Sequence, residues 1–585
     1  MNKAFYCLRL RIIGLLVCIL FVFTASLTYA DAPPGQPYTF QVDDTLGKLA
    51  EKFLMDVSAW PAILVATNAK ADESSQFRKI FHPRQLQAGQ LLWIPASNNL
   101  PVLMASLEAR PQLQPLTKDI LAEFEDHIET TRVRYGIPGA AVVLVRGNEI
   151  VFANGFGVRQ VGQSDLVTPE TMFPIGSTTK ALNAMMIARL VDQGRLNWDQ
   201  PVLDIWPDFA LSDLAQTGRL RMRDLLNMGS GLPRRDLVWS GAALTPEELM
   251  GSLVDLPIYA DIGDHYYYNN QLVATAGYVA AMAAGGRYGQ LGQDYADQLK
   301  AQVFDPIGMG SATTSLEVMQ AASNRAVPHD LNLFGQVVPT HYHEDLSIMP
   351  AGGVYANALD LAKFLVVQLD EGVTAEGQRV VSARNLRETQ RPQTKITGTL
   401  SYGMGWFVED FRGVDVIWHD GDVLGTKALI AIIPEADVGL VVLSNRIISL
   451  TFNSGVLYRL VELMYDLSPK AEQVYDDIWN NFQVNSAYLI TSGISATVDP
   501  AEIANYVGAY EDGWRVELRG NRLYAVRGPY EWHLLRAEEG HFVVNNGYGI
   551  GMTLYLEEDP TSGAAAMKFT LSTGEPGFFR KLEEN

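Results

Sequence analysis

The stretch 173–196, FPIGSTTKALNAMMIARLVDQGRL, constrains the fold of this chain more than any other. Leu182, Met185, Met186 and Leu190 repeat at helical spacing, and Gly194 stands just past the last turn as a natural stop. The segment reads as a largely buried helix, so a sizeable domain has to close around it. Ser177 sits at its N-terminus, and Lys180, three residues on, lies one turn up on the same face. A serine hydroxyl is a poor nucleophile until a base takes its proton. A lysine within hydrogen-bond reach does this when burial and its neighbours push its pKa down. The helix N-terminus adds free N–H groups and partial positive charge where an oxyanion would form. Ser-x-x-Lys alone equally describes a capping serine beside a surface lysine; residues further along the chain separate the two.

At 585 residues with 48% hydrophobic content the chain can fill several cores, and its length suggests two to four domains. A formal charge of −21 excludes a nucleic-acid partner in the absence of a basic stretch. Lys3, Arg9 and Arg11 precede an apolar run over residues 12–23, and Thr28-Tyr29-Ala30 supplies small residues at a signal-peptidase site. Residues 1–30 are therefore expected to be a signal peptide, with no stable membrane insertion after cleavage and a secreted or periplasmic location. Cys7 and Cys18 both fall inside it, so no disulfide is expected in the mature chain, which carries 42 basic against 66 acidic residues, a charge of −24.

Residues 36–96 read as strand, helix, helix, strand. The elements are a strand at 38–42, a helix capped by Asp44-Thr45 that buries Leu46, Leu49 and Phe53, a helix with Trp60, Ile63 and Leu64, and a strand at 91–94. Tyr38-Thr39, Asp44-Thr45-Leu46, an Asn68 that ends the second helix, and Gly89-Gln90-x-Leu92-x-Ile94-Pro95 resemble a LysM module. That resemblance implies binding to peptidoglycan or another N-acetylglucosamine-containing glycan. Residues 69–81 are longer than such modules need. Residues 97–116, with Pro101, Pro111 and Pro115, read as a linker.

A large domain is expected over 117–465. It opens with a helix carrying Ile120, Leu121, Phe124 and Ile128, then a hairpin of strands 140–145 and 150–153 turning at Gly147-Asn148. Gly155-Phe156-Gly157 lacks the third glycine of a dinucleotide loop, and Ser230 follows a helix instead of a strand, so neither is read as a site. Tyr268-Asn269-Asn270 stands on a loop before a helix near Gln271. A polarised phenol there can relay the Ser177 proton to a leaving group, and Asn270 offers an amide to both the lysine and the substrate. Ile417-Trp418-His419-Asp420-Gly421 ends a strand. His419-x-Gly421 can wall a cleft, and the N–H of Asp422 can serve as a second oxyanion donor, a group whose loss costs about 100- to 1,000-fold in rate. Strands follow at 428–434 and 438–445.

These three groups, in this order, resemble the class C β-lactamase-related serine hydrolases. Ile137-Pro138-Gly139-Ala140, Arg223-Asp224-Leu225-Leu226, Pro350-Ala351-Gly352-Gly353 and Ser444-Asn445 support the likeness. The resemblance implies an α+β fold of the β-lactamase/D,D-peptidase kind, with an antiparallel sheet flanked by helices plus a helical subdomain. It implies Ser177 as nucleophile, Lys180 as base or relay, Tyr268 as general base then acid, and Asn270 as orienting amide. His419 and Gly421 take the place usually given to Lys-Thr-Gly; the first proton acceptor stays open between Lys180 and Tyr268. Asp420 and Asp422 flank Gly421, and carboxylates there are expected to repel an anionic substrate end. An esterase or amidase/peptidase working on a small neutral or amine-bearing acyl substrate is therefore expected, with no cofactor and no metal. D,D-carboxypeptidase, β-lactamase and an inactive wall-binding protein are the alternatives. His341 and His343 beside Glu344-Asp345 form too thin a pattern for a metal site. Residues 466–499 read as a helical connector. Residues 500–585 read as short alternating strands, a small barrel or sandwich similar to the lipocalin-like domains behind this hydrolase family.

Overall fold

The computed structural model describes residues 33–582 except 42–43, 75, 78–79, 81–85, 87–88, 109–110, 237–243, 343–345, 447–449, 492–493, 529, 538–539, 547–549 and 571–575. The expected signal peptide with its two cysteines, and His343-Glu344-Asp345, lie outside the described residues.

The first unit pairs strand β1 (Gly35–Thr39) antiparallel with β2 (Leu91–Pro95), Gln36 opposite Ile94. Between them run helices α1 (Leu46–Leu54) and α2 (Trp60–Glu73). The Thr45 hydroxyl caps α1 by accepting from the Lys48 N–H, and a proline stands in the first turn of α2. The strand lies at 35–39, three residues earlier than expected at its start, and the Gln41 N–H beyond it donates to the Asp44 carboxylate; Val42, the expected last residue, lies outside the described residues. Asn68 does not end the second helix either. It sits within α2 and clamps a later loop, donating to the Ile80 carbonyl at 3.0 Å and accepting from the Ile80 N–H at 2.7 Å. The segment expected as a linker is also corrected in its first half. Residues 100–108 form helix α3 (Leu100–Glu108), whose buried Leu103 joins the apolar core of this unit. Gln114 then donates its backbone N–H to the Met464 carbonyl, tying the second half of that segment to the large domain.

The large domain opens with α4 (Lys118–Arg134), then the hairpin β3 (Gly139–Arg146) and β4 (Glu149–Gly157). A single tight turn over Gly176–Thr178 leads into α5 (Thr179–Asp192), and α6 (Asn270–Ala283) and α7 (Ala358–Leu369) follow further on. The chain then lays down β5 (Thr394–Lys395), β6 (Leu400–Tyr402), β7 (Phe407–Phe411), β8 (Val414–Val423), β9 (Thr426–Ile433) and β10 (Val438–Ser444). Helices α8 (Leu450–Met464) and α9 (Ala471–Thr491) close it. All eight strands form one antiparallel sheet in the order β4-β3-β10-β9-β8-β7-β6-β5.

Side chains alternate across a strand, so each sheet face has its own core. Val143, Ile417, Ile430 and Val441 pack on one face with α5, α6 and α7. Val142, Val416, Leu429 and Val442 pack on the other with α4, α8 and α9. Burial on both faces explains why β3, β9 and β10 read as nearly unbroken apolar runs. The expected α+β architecture is present, three layers with the serine helix inside. Helix α9, expected as a connector, lies on the outer face: Tyr475 and Trp479 are buried there, and Arg134 pairs with Glu472 and Asp476.

The last unit is an antiparallel meander of eight strands, β11 (Gly508–Ala509), β12 (Arg515–Arg519), β13 (Arg522–Arg527), β14 (Tyr530–Arg536), β15 (Phe542–Val544), β16 (Thr553–Glu558), β17 (Ala565–Thr570) and β18 (Pro576–Arg580). A bridge between Tyr510 and Lys581, with the Leu582 N–H donating to the Ala509 carbonyl, joins its last strand to its first. Trp514, Trp532, Phe569 and Phe579 fill the interior. Tyr530 packs on Leu424 of the large domain, and the Leu333 N–H donates to the Asn545 carbonyl.

Candidate active site

Two glycines let the serine turn and the sheet touch. Gly176 has φ +52°, which favours glycine, and a methyl on it would meet the Asp422 backbone nitrogen at 2.8 Å. A methyl on Gly421 would sit 2.0 Å from the Ile175 carbonyl oxygen and 2.9 Å from the Ser177 nitrogen. Strand β8 therefore runs backbone to backbone against the turn that holds Ser177. Val423 and Thr426 close a two-residue hairpin between β8 and β9. By antiparallel alternation, the Asp422 N–H then points away from β9. The Asp422 and Ser177 backbone nitrogens both stand at this contact, 2.8 and 2.9 Å from where a methyl would lie on Gly176 and on Gly421 respectively.

Ser177 is half-buried. The Lys180 Nζ lies 2.8 Å from its Oγ and donates to the Ala351 carbonyl at 2.7 Å. The Tyr268 hydroxyl reaches the same Oγ at 2.8 Å from the loop before α6. Lys180 is fully buried, and that burial, helped by the Arg234 guanidinium, holds its pKa well below the usual lysine range. Burial moves Tyr268 the other way, up from its ordinary value, so it stays a neutral phenol. The serine oxygen thus lies between an amine biased towards its free-base form and a phenol biased towards keeping its proton. The Lys180 Nζ also lies 4.9 Å from the Tyr268 ring centre, a distance at which the ring stabilises an ammonium.

The remaining expected residues occupy less direct places. Asn270 is buried as the first residue of α6 and donates to Asp236 at 3.2 Å. Among the described residues its amide is not paired with Lys180; the Ala351 carbonyl holds the amine instead. His419 is fully buried, with Nδ1 on the Asp420 carbonyl at 2.5 Å and Nε2 at the Tyr402 hydroxyl at 2.9 Å. A carbonyl only accepts, so Nδ1 carries the proton and Nε2 receives the Tyr402 O–H. Burial lowers its pKa to about 4, leaving a neutral imidazole that walls the site behind Tyr268. Gly421 provides the close approach and Asp422 its backbone N–H.

One electrostatic expectation is corrected. Asp420 and Asp422 project from the sheet face opposite His419 and Gly421, and both meet Lys427, fully buried on β9, at 2.5 and 2.8 Å. Burial works against the Asp420 charge, but Lys427 outweighs it and lowers that pKa; burial raises Asp422. Burial alone would also lower Lys427, and the two carboxylates raise it instead. One of the two carboxylate charges is therefore balanced by Lys427, a residue the sequence analysis did not single out. Arg234 and Asp236 are the other residues missed: the guanidinium lies 5.3 Å from the Tyr268 ring centre and is bonded to Asp236 at 2.5 Å. The Ala351 carbonyl has no residue-type signature, whereas Lys427 is recoverable from the Leu424-Gly425 turn that places it opposite Asp422.

A serine oxygen with a buried lysine amine and a tyrosine hydroxyl both at 2.8 Å is the arrangement expected of a serine hydrolase. Residues 124–454 match the Beta-lactamase family, and the chain belongs to it. It is 27% identical over 386 residues to the unguisins hydrolase ungD' of Aspergillus campestris, covering 63% of this chain and 68% of that one. It is also 27% identical over 352 residues to penicillin-binding protein 4 of Amycolatopsis lactamdurans, covering 58% of this chain and 89% of that protein. The octameric penicillin-binding protein homologue from Pyrococcus abyssi shares the fold with a TM-score of 0.53 at 21% identity, covering 79% of this chain and all of that one.

Proposed function

We propose that the protein hydrolyses esters or amides through an acyl-enzyme on Ser177. The observation that carries this reading is the convergence of Lys180 and Tyr268 on one serine oxygen, with pKa values displaced in opposite directions. Lys180 is then the first proton acceptor. As the Ser177 Oγ attacks the acyl carbon, its proton passes to the Lys180 amine, and the new ammonium is held by the Ala351 carbonyl and the Tyr268 ring. The N–H groups of Ser177 and Asp422 receive the oxyanion. When the carbon–leaving-group bond breaks, Tyr268 gives its proton to the leaving group and is reprotonated by Lys180. Water then releases the acyl group by the same steps reversed.

His419 favours substrates that need no carboxylate anchor. It offers a buried neutral imidazole with both nitrogens already bonded, where the resembled D,D-peptidases and β-lactamases place a lysine. Lys427 leaves the Asp420–Asp422 pair with one net negative charge, so any repulsion of an anion is that of one charge: about 1 kcal/mol in water and about 4 kcal/mol near a protein surface at 4 Å. A D,D-carboxypeptidase is the second reading, favoured by Arg234, a partly exposed cation beside Tyr268, and by the relative named penicillin-binding protein 4. The strand–helix–helix–strand order and the Tyr38, Asp44-Thr45 and Gly89-Gln90 pattern support a LysM-like module that carries a secreted or periplasmic enzyme to a wall glycan. The closed meander of β11–β18 supports a lipocalin-like barrel. A fluorophosphonate probe tests the nucleophile: wild type is labelled and Ser177→Ala is not. A neutral p-nitrophenyl ester is hydrolysed faster than nitrocefin, and the reverse order overturns the substrate assignment.

A further inference from the structure

The loop that carries Tyr268 is laced to residues 228–236. The Met228 carbonyl accepts from the Tyr267 N–H at 2.8 Å, and the Met228 Sδ accepts from the Asn269 N–H at 3.2 Å. The Asn269 side chain donates to the Pro233 carbonyl at 2.9 Å, and Asn270, the first residue of α6, donates to the Asp236 carboxylate at 3.2 Å. Met228 itself stands at φ +60°, a left-handed conformation that residues other than glycine keep only where their surroundings impose it. These bonds fall on both sides of Tyr268, so residues 228–236 help fix the backbone from which its phenol reaches Ser177.

The same segment brings a charge to the site. The Arg234 guanidinium carbon lies 5.3 Å from the Tyr268 ring centre, and the Lys180 Nζ lies 4.9 Å from the centre of the same ring. Asp236 holds Arg234 there: its Oδ2 accepts from the Arg234 Nε at 2.5 Å while its Oδ1 accepts from Asn270. Of two cations at one ring, the lysine is the one that sheds its charge, because a guanidinium stays protonated. A fixed positive charge there disfavours the ammonium form of Lys180. After burial, Arg234 is the strongest influence lowering the Lys180 pKa, and it outweighs the opposing effect of Asp236. Strand β8 brings two more groups towards the amine, Asp420, which works with Asp236 and is itself paired with Lys427, and the neutral His419. The Tyr268 phenol is neutral, and the turn at 349–352 contributes the Ala351 carbonyl and no charged side chain.

We infer that Arg234, anchored by Asp236, is a positioning residue of the hydrolytic site, which steadies the Tyr268 ring and through its fixed charge favours the uncharged amine of Lys180. This rests on the reading of Ser177 as the nucleophile. The test follows the second-order rate of fluorophosphonate labelling of the full chain against pH. Arg234→Gln should move the midpoint of the rise in rate upward by about 0.5–1 pH unit at low ionic strength, and by less at about 1 M salt, where exposed charges are screened. Asp236→Asn keeps an acceptor for Arg234 and removes the opposing charge, so its midpoint should move downward. Arg234→Lys keeps the charge and should keep the wild-type midpoint. Arg235→Gln is the control, since Arg235 donates to the Tyr259 hydroxyl at 3.3 Å, and it should leave the midpoint in place. The Arg234 side chain is 40% exposed, so its variants should unfold like wild type. A loss of rate with an unmoved midpoint in Arg234→Gln means that Arg234 acts by packing alone. An unmoved midpoint with a raised KM for anionic esters only makes it a substrate anchor. Either result, or shifts of the same sign in Arg234→Gln and Asp236→Asn, overturns the inference and leaves Ser177 the nucleophile. A wild type that is not labelled, or is labelled no faster than Ser177→Ala, removes the hydrolytic reading and this inference with it.

Discussion

The contact between β8 and the serine turn can be tested by adding one carbon. In Gly421→Ala the new methyl would lie 2.0 Å from the Ile175 carbonyl oxygen and 2.9 Å from the Ser177 nitrogen. Carbon and oxygen settle no closer than about 3.3 Å, so strand and turn have to separate by roughly 1 Å. Both faces of the contact are backbone, so no flexible side chain can absorb the shift. Strand β8 carries the Asp422 N–H with it, and a misplacement of that size costs about 100-fold in rate. The overpacking itself destabilises by about 1–3 kcal/mol, well within what a domain of this size tolerates. The second-order rate of fluorophosphonate labelling and kcat/KM for a p-nitrophenyl ester should both fall about 100-fold. Thermal unfolding should stay cooperative, with a modestly lowered Tm. Gly218→Ala is the control, since a methyl there meets nothing within 4 Å. Labelling within about threefold of wild type in Gly421→Ala would mean that this backbone approach does not position the oxyanion donors, and the site geometry argued above would be wrong.

Further expectations follow from the same site. Lys180→Met, which keeps the length and removes the amine, should slow labelling by about 100- to 10,000-fold, and the wild-type rate should rise with pH as Lys180 loses its proton and level off above that transition. His419, held at about 4 against 6.5 when unfolded, contributes stability that is full above pH 6.5 and is lost as pH falls towards 4. The 2.5-unit difference is worth roughly 3 kcal/mol, so Tm measured across that window should fall less steeply in His419→Gln. Lys427→Met leaves the half-buried Asp420 and the exposed Asp422 without their shared cation and should destabilise by about 1–3 kcal/mol in chemical denaturation, whereas Lys427→Met combined with Asp420→Asn and Asp422→Asn should recover most of that loss.

Much of the architecture was legible because it rests on local pattern. The apolar run around Leu182 and Met186 announces a helix buried on all sides, and β3, β9 and β10 announce strands covered on both faces. Ser177 and Lys180 share one helical turn, so their meeting needs no long-range information. Errors gathered where a residue's meaning depends on its partner. Residues 97–108 look like a proline-containing linker until α2 gives Leu103 a surface to pack on. The strand expected to end at Gly421 runs on to Val423 and the next begins at Thr426, a tight hairpin across which Lys427 pairs with Asp420 and Asp422.

Sequence alone determined the identity and order of the chemical groups: a serine at a helix start, a lysine one turn later, a tyrosine before a second helix, and a glycine-bearing strand to close on them. Tertiary structure decided their proton states and alliances. Only packing makes Lys180 a buried amine, keeps Tyr268 a phenol, turns Asn270 towards Asp236, and hands the lysine to the Ala351 carbonyl. The physical reason is that spacing along a chain sets which groups can meet locally, whereas desolvation and charge pairing belong to the surroundings that distant segments bring in.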